Sequence, residues 1–275
     1  MTEAAPHAAG PEKLASGKLA LDEPAPGVIR LRISRPAKRG ALDHELLDAL
    51  AAAAGRIEAR CLLLTGEGAM FSAGYDIGDF RDPERFANEA EQLVAHPFHE
   101  AIAALDRYPY PVVAALNGHA IGGGLELALT ADLRVAASHV KLGMPPAKLG
   151  LIYSHTGVRK FIEVCGLPNT NELFHVGRNV DADRALAMGL LNEVVEPEEL
   201  EERSVALAAE IAANAPLALA GNKRIIGALR GHPGRLPEDL ERELVALRES
   251  CFRTEDFREG VAAFAEKRAP VWRGR

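Results

Sequence analysis

The chain has 275 residues, with 32 Lys and Arg against 39 Asp and Glu, for a formal net charge of −7. The acidic balance argues against general nucleic-acid binding, which needs a basic face. No run of 18 uninterrupted apolar residues exists, so a membrane-spanning helix is not expected.

Residues 1–17 read as a disordered lead-in, polar and Ala/Pro-rich at the start, with no basic and apolar export signal. Gly27 to Ser34 alternates apolar and basic residues, the pattern of a half-buried strand. Asp43 is the expected N-cap of a helix running to about Ile57, with Leu46, Leu47 and Leu50 inward. Cys61 to Thr65 is a short apolar strand, and Phe71 to Ile77 is a strand end entering a small-residue bend. Helical spacing follows over 83–107, then a buried strand at Pro111–Leu116 and the turn pair Asn117-Gly118. Gly122-Gly123-Gly124 opens a helical run to Thr130, and Leu133–Ala137 returns as a strand. The fold class is therefore α/β to about residue 200. Residues 18–200 form the expected core and 201–275 a helical C-terminal region, with a Gly/Pro loop at Arg230–Pro237.

Three glycines ahead of a helix let backbone N–H groups approach a ligand oxygen, where the helix dipole adds positive potential. The run is neither a dinucleotide fingerprint nor a P-loop. The alternative use is a tight strand–helix crossing. The second small-residue bend, Phe71-Ser-Ala-Gly-Tyr-Asp-Ile77, supplies a possible second donor. Two such amides make an oxyanion hole, each worth about 2.7–4 kcal/mol in a transition state.

Five ordered segments carry a resemblance. They are Ile33-Ser-Arg-Pro-Ala-Lys-Arg-Gly-Ala-Leu42, Phe71–Ile77, Asn117-Gly-His-Ala-Ile-Gly-Gly-Gly-Leu-Glu-Leu-Ala128, Ala182–Asn192 and Glu255–Arg268. Together, over about residues 25–275, the chain resembles the crotonase (enoyl-CoA hydratase/isomerase) superfamily. The resemblance implies a spiral of ββα units with a C-terminal helical oligomerisation region, in trimers or dimers of trimers. It implies an acyl-CoA substrate, with coenzyme A present only as the thioester part and no permanently bound cofactor. The oxyanion donors would be the N–H groups of Tyr75 and Gly123. Lys38, Ala41, Leu42, Ala73, Asp76 and Ile77 would border the CoA. Lys267 resembles a residue that reaches a neighbouring subunit's CoA phosphates, or else is a solvated helix charge.

Hydratases of this family use two glutamates about a water. Glu126 matches the first. The second falls in Lys141-Leu-Gly-Met-Pro-Pro146, where Pro146 has no ionisable group. Tyr153, in Gly150-Leu-Ile-Tyr-Ser-His-Thr-Gly157, stands where the methylmalonyl-CoA decarboxylases of the superfamily carry a tyrosine. That group also has a non-acidic residue at the Pro146 position and a bulky histidine at the Tyr75 position. The leading expectation is decarboxylation of a malonyl-type CoA with Tyr75, Gly123, Glu126 and Tyr153 at the centre. One alternative is a hydratase or isomerase using Glu126 alone. Another is a non-catalytic member that binds acyl-CoA or serves as an oligomeric partner.

The remaining candidates divide between chemistry and support. Tyr153 is either a catalytic hydroxyl or a packed tyrosine. His155 is an acid/base group or a structural hydrogen-bonder. His119 and Asp76 read as structural, and Ser72 and Ser154 lack a nucleophile elbow. No metal cluster is expected. Cys61, Cys165 and Cys251 have no metal or redox spacing, which fits reduced thiols in a cytoplasmic protein. No nucleic-acid or membrane partner is expected.

Overall fold

The computed structural model describes residues 11–76, 97–232 and 234–275. Strands β1 (Glu12–Leu14), β2 (Leu19–Ala25) and β3 (Val28–Ile33) open the chain as an antiparallel meander. Order thus begins before residue 18: Glu12, Lys13 and Leu14 pair with Leu21, Ala20 and Leu19. The expected lead-in is corrected over 12–17, because the free edge of β2 offers backbone partners that a polar sequence can take. Residues 1–10 lie outside the described residues.

The helix α1 (His44–Arg56) starts where Asp43 accepts from the Leu46 N–H, and it buries Leu46, Leu47 and Leu50. From there strands alternate between two sheets. β4 (Cys61–Gly66) joins the large sheet and β5 (Met70–Ser72) the small one. After α2 (His99–Arg107), β6 (Val112–Leu116) is large-sheet, β7 (His119–Ile121) small-sheet, and α3 (Gly123–Thr130) follows. β8 (Leu133–Ala137) and β9 (Lys141–Gly143) repeat the pattern, followed by α4 (His155–Asn171), broken at Gly166. β10 (Val180–Asp181), α5 (Ala182–Ala187) and β11 (Glu193–Val195) close the spiral.

The result is a seven-stranded sheet, β1-β2-β3-β4-β6-β8-β11, and a four-stranded sheet, β10-β9-β7-β5. From β3 onward the large sheet is parallel, and its strands read as unbroken apolar runs because both faces are covered. On one side of the sheet α6 (Leu200–Ala212) lies across β3, β4, β6 and β8. Arg30 of β3 is buried there and bonds Asp22 and Glu201 of α6. The helical region drawn from 201 therefore starts with a helix that belongs to the sheet's packing. Helices α7 (Pro216–Gly231), α8 (Glu238–Cys251) and α9 (Glu255–Glu266) follow. Lys223 ties α7 back to the Tyr110 carbonyl and Asp132, both at 2.8 Å.

A chain of charges links the first hairpin to the loop after β5. Lys18 lies 2.8 Å from Asp43, Asp43 3.1 Å from Arg35, and Arg35 2.9 Å from Asp76. Burial alone would raise the Asp43 carboxyl, but Lys18, the Leu46 N–H and Arg35 together hold it below its ordinary value. A group lowered in this way stabilises the fold above its unfolded pKa and loses that contribution as pH falls through the folded one. Asp43→Ala is expected to cost about 1–2 kcal/mol in urea unfolding at pH 7, from the lost cap. The difference from wild type should shrink in acid, as pH falls from about 4 through the lower pKa of the folded state.

Candidate active site

β5 and β7 run parallel, with Met70 opposite His119 and Ser72 opposite Ala120, so the loops leaving them travel together. Asn117 joins the preceding turns by accepting from the Gly66 N–H at 2.9 Å and donating to the Gly68 carbonyl at 2.8 Å. The loops then touch at glycines. Gly74 has φ +89°, and a Cβ there would stand 2.9 Å from the Ile121 carbonyl and 3.1 Å from the Gly123 nitrogen. A Cβ on Gly124 would stand 2.3 Å from the Ser72 carbonyl. Small residues are required by this contact, whatever ligand it serves.

The loop after β5 is fixed on its other side. Leu42 donates to the Gly74 carbonyl and accepts from the Asp76 N–H, both at 2.8 Å. Ser72 donates to the Gly40 carbonyl at 2.8 Å and accepts from Gly74 at 3.1 Å. Ser72 is thus a support, as is Asp76 through Arg35. The main-chain amide of Tyr75 has no partner among the described residues. Nor has that of Gly123, the first residue of α3, where the helix leaves its amides unpaired.

Glu126 lies in the first turn of α3 and is only 5% exposed. Tyr153 donates to its Oε2 at 2.5 Å, and the Tyr75 hydroxyl lies 3.3 Å from the Tyr153 hydroxyl. With Tyr153 donating to the carboxylate, Tyr75 donates to Tyr153, so the three groups form one directed chain. The Tyr75 ring covers Gly123, whose Cβ would meet it at 2.8 Å, and stacks edge-on with Phe98 at 4.9 Å. Gly157 leaves the room the chain needs: a Cβ there would lie 2.6 Å from the Tyr153 ring and 3.0 Å from Glu126 Oε1.

Burial pushes the Glu126 carboxyl up, against the pull of Tyr153 and of Lys160 on α4. Burial, with Tyr75 and Glu126 as neighbours, pushes the Tyr153 phenol well up, so it remains a donor. Burial and the Glu126 charge do the same for Tyr75. Tyr75 and Glu126 line a cavity of about 560 Å³ that also reaches His99, Ile102, Asp106 and Lys160.

Pro146 is buried at the start of a short turn, and its carbonyl accepts from Leu151 at 2.9 Å. The carboxylates lining the cavity among the described residues are Asp106, Glu126 and Glu163.

Other expected residues have different settings. Lys38 is exposed on the turn beside Arg35, and Ala73 donates to the Arg39 carbonyl at 3.0 Å. Ala41 and Leu42 are buried, and the Leu42 main chain ties the loop through its N–H and its carbonyl. Ile77 lies outside the described residues. Lys267 caps α9 in the left-handed region at φ 55° and is exposed. Ser154 caps α4 by accepting from Gly157 at 3.1 Å, and His155 is exposed at the cavity rim. His119 accepts from the Lys141 N–H at 3.0 Å and is structural.

Sequence reasoning missed Lys160 and Asp106. Their signal was a lone Lys and a lone Asp on two helices distant in sequence, which only the tertiary fold joins, at 3.0 Å.

The profile of the enoyl-CoA hydratase/isomerase family matches residues 23–275. The chain belongs to that family, the crotonase superfamily, whose members act on CoA thioesters. It is 33% identical over 241 residues to the short-chain-enoyl-CoA hydratase of Clostridium acetobutylicum, covering 86% of this chain and 90% of that one. It is 32% identical over 225 residues to the methylmalonyl-CoA decarboxylase of Escherichia coli, covering 80% and 83%. The crystal structure of an enoyl-CoA hydratase/carnithine racemase from Magnetospirillum magneticum superposes with a TM-score of 0.84 at 31% identity, over 94% of this chain and 96% of that one. Identity does not separate hydration from decarboxylation.

A buried carboxyl whose pKa is raised favours the folded state at low pH and costs stability once the pH exceeds its unfolded value, about 4.3 for glutamate. Glu126→Gln removes that cost. Its melting temperature relative to wild type is expected to rise between pH 4 and pH 8, measured by scanning calorimetry.

Proposed function

We propose that the chain stabilises a thioester enolate between the amides of Tyr75 and Gly123 and that its reaction is decarboxylation of a malonyl-type CoA. The observation that carries this is the Tyr75–Tyr153–Glu126 chain beside the Gly123 amide, which has no partner among the described residues; the sequence adds a proline, Pro146, where the family's second acid falls. Two donors aimed at one developing oxyanion supply the main stabilisation. Decarboxylation needs no base to begin. The bond from the α-carbon to the carboxylate breaks, its electron pair enters the thioester as an enolate, and CO₂ leaves. The α-carbon then takes a proton from Glu126, whose burial favours the protonated form. The Tyr153 hydroxyl keeps that carboxyl in place, and the absence of an anion at Pro146 lowers repulsion against the substrate's own charge.

The second reading, hydration or isomerisation with Glu126 as sole acid/base group, is favoured by the same buried carboxyl and by the hydratase relative. The two separate in one assay. Incubation with methylmalonyl-CoA is expected to release CO₂, and Tyr153→Phe to lower the rate about a hundredfold. Turnover of crotonyl-CoA without CO₂ release would assign the hydratase, and Glu126→Gln should then abolish water addition. Binding of both esters with turnover of neither would mark a non-catalytic acyl-CoA binder.

The proposed assembly is a homotrimer or a dimer of trimers. Its support is the apolar surface of α7 to α9, where Phe264 is 88% exposed and Ile226, Phe252 and Val261 are also exposed. Within such an assembly Lys267 would approach a neighbour's CoA. Light scattering is expected to give the mass of three or six chains. The proposed compartment is the cytoplasm, consistent with three unbridged cysteines.

A further inference from the structure

Among the described residues Lys160 is the one buried cation lining the cavity; Arg159 and Arg230 are exposed, as are His99 and His155. An ammonium carries three N–H donors. Here two point to the Asp106 carboxylate, at 3.0 and 3.3 Å, and one to the Thr130 hydroxyl, at 3.1 Å. All three are engaged, so Lys160 acts on the cavity through its charge and not as a donor to a ligand.

Thr130 fixes where that charge stands. Its hydroxyl donates to the Glu126 carbonyl at 3.0 Å, one turn back along α3. The ammonium is thereby anchored to the helix that carries Glu126. Buried charges are screened far less than exposed ones. The groups that face Glu126 are Tyr75 from the loop after β5, Tyr153 ahead of α4, His99 and Asp106 on α2, and Lys160 on α4. Arg230 on α7 faces Lys160 and meets Asp106 at 3.2 Å and Glu163 at 3.7 Å. Arg230 thus shares the Asp106 charge, so Lys160 is not wholly neutralised by its partner.

A proton donor has to exist in two states. Burial favours the neutral carboxyl before transfer, and the same burial penalises the carboxylate that transfer leaves behind. Tyr153 gives that carboxylate one hydrogen bond. A fixed cation gives it the opposite charge. We propose that Lys160 is a positioning residue for this step: its ammonium, held between Thr130 and Asp106, stabilises the negative charge that Glu126 acquires when its proton goes to the α-carbon. Asp106 holds the ammonium in place and, as a like charge to Glu126, moderates its pull. This rests on Glu126 as the proton donor of the reading above.

Carbon NMR of the full-length protein, with labelled glutamate and lysine side chains and no substrate, reads both titrations. The Glu126 signal is the one that Glu126→Gln removes, and the Lys160 signal the one that Lys160→Arg removes. Lys160→Met is expected to raise the Glu126 titration by about one pH unit or more. Lys160→Arg, which keeps the charge, is expected to leave it near wild type. Coupling is reciprocal, so Glu126→Gln is expected to lower the Lys160 titration by a similar amount. An unchanged or lowered Glu126 titration in Lys160→Met, or an equal rise in Lys160→Arg, would overturn the inference. If Lys160→Met does not fold, the Lys160 titration in Glu126→Gln decides alone, and an unchanged value there overturns the inference. Because no substrate is present, the thioester reading stands or falls separately, in the methylmalonyl-CoA assay.

Discussion

The contact between two loops, made at glycines on the ends of two parallel strands, is the constraint on which the site depends. β5 and β7 pair only briefly, yet their register brings Gly74 against Gly123 and Ser72 against Gly124. A side chain at Gly74 or Gly124 would run into main chain, and one at Gly123 into the Tyr75 ring. The two amides without a partner among the described residues are a by-product of this approach. One lies at a bend held by Leu42, the other at a helix start where no intrahelical acceptor exists. Neither amide depends on its own side chain, which is why such a site tolerates Tyr at 75.

The side chains placed over that frame decide the chemistry. Glu126 is buried at the helix N-terminus, and a carboxylate there gains from the dipole but loses its water. Tyr153 offsets part of the loss with one short hydrogen bond, and Tyr75 extends it. Lys160 stands beyond, itself held by Asp106, so charge near the cavity is paired in steps. The arrangement resembles a buried network that is satisfied throughout, in which each member fixes the rotamer of the next.

Most of the fold was legible in the sequence because its signals are local. The apolar run at Cys61, the Asp43 cap and the Asn117-Gly118 turn all carry their reason within a few residues. The glycine run and the Glu126 position were legible for the same reason. The pairing of β1 was not, since a polar strand on an edge has no hydrophobic period to announce it. Nor was the role of α6, whose Ala-rich sequence signals a helix but not the sheet beneath it. The Lys160–Asp106 pair was invisible because residues 54 positions apart meet only when α2 and α4 pack.

The charges running from Lys18 through Asp43 and Arg35 to Asp76 give the opening hairpin a reach beyond its own strands. Shortening the chain past residue 18, a natural step when trimming a polar leader for expression, would unseat the last link's support although it deletes nothing that faces the cavity. Such a trimmed protein would lose an edge strand of the large sheet and would also hold the bend at Tyr75 less firmly.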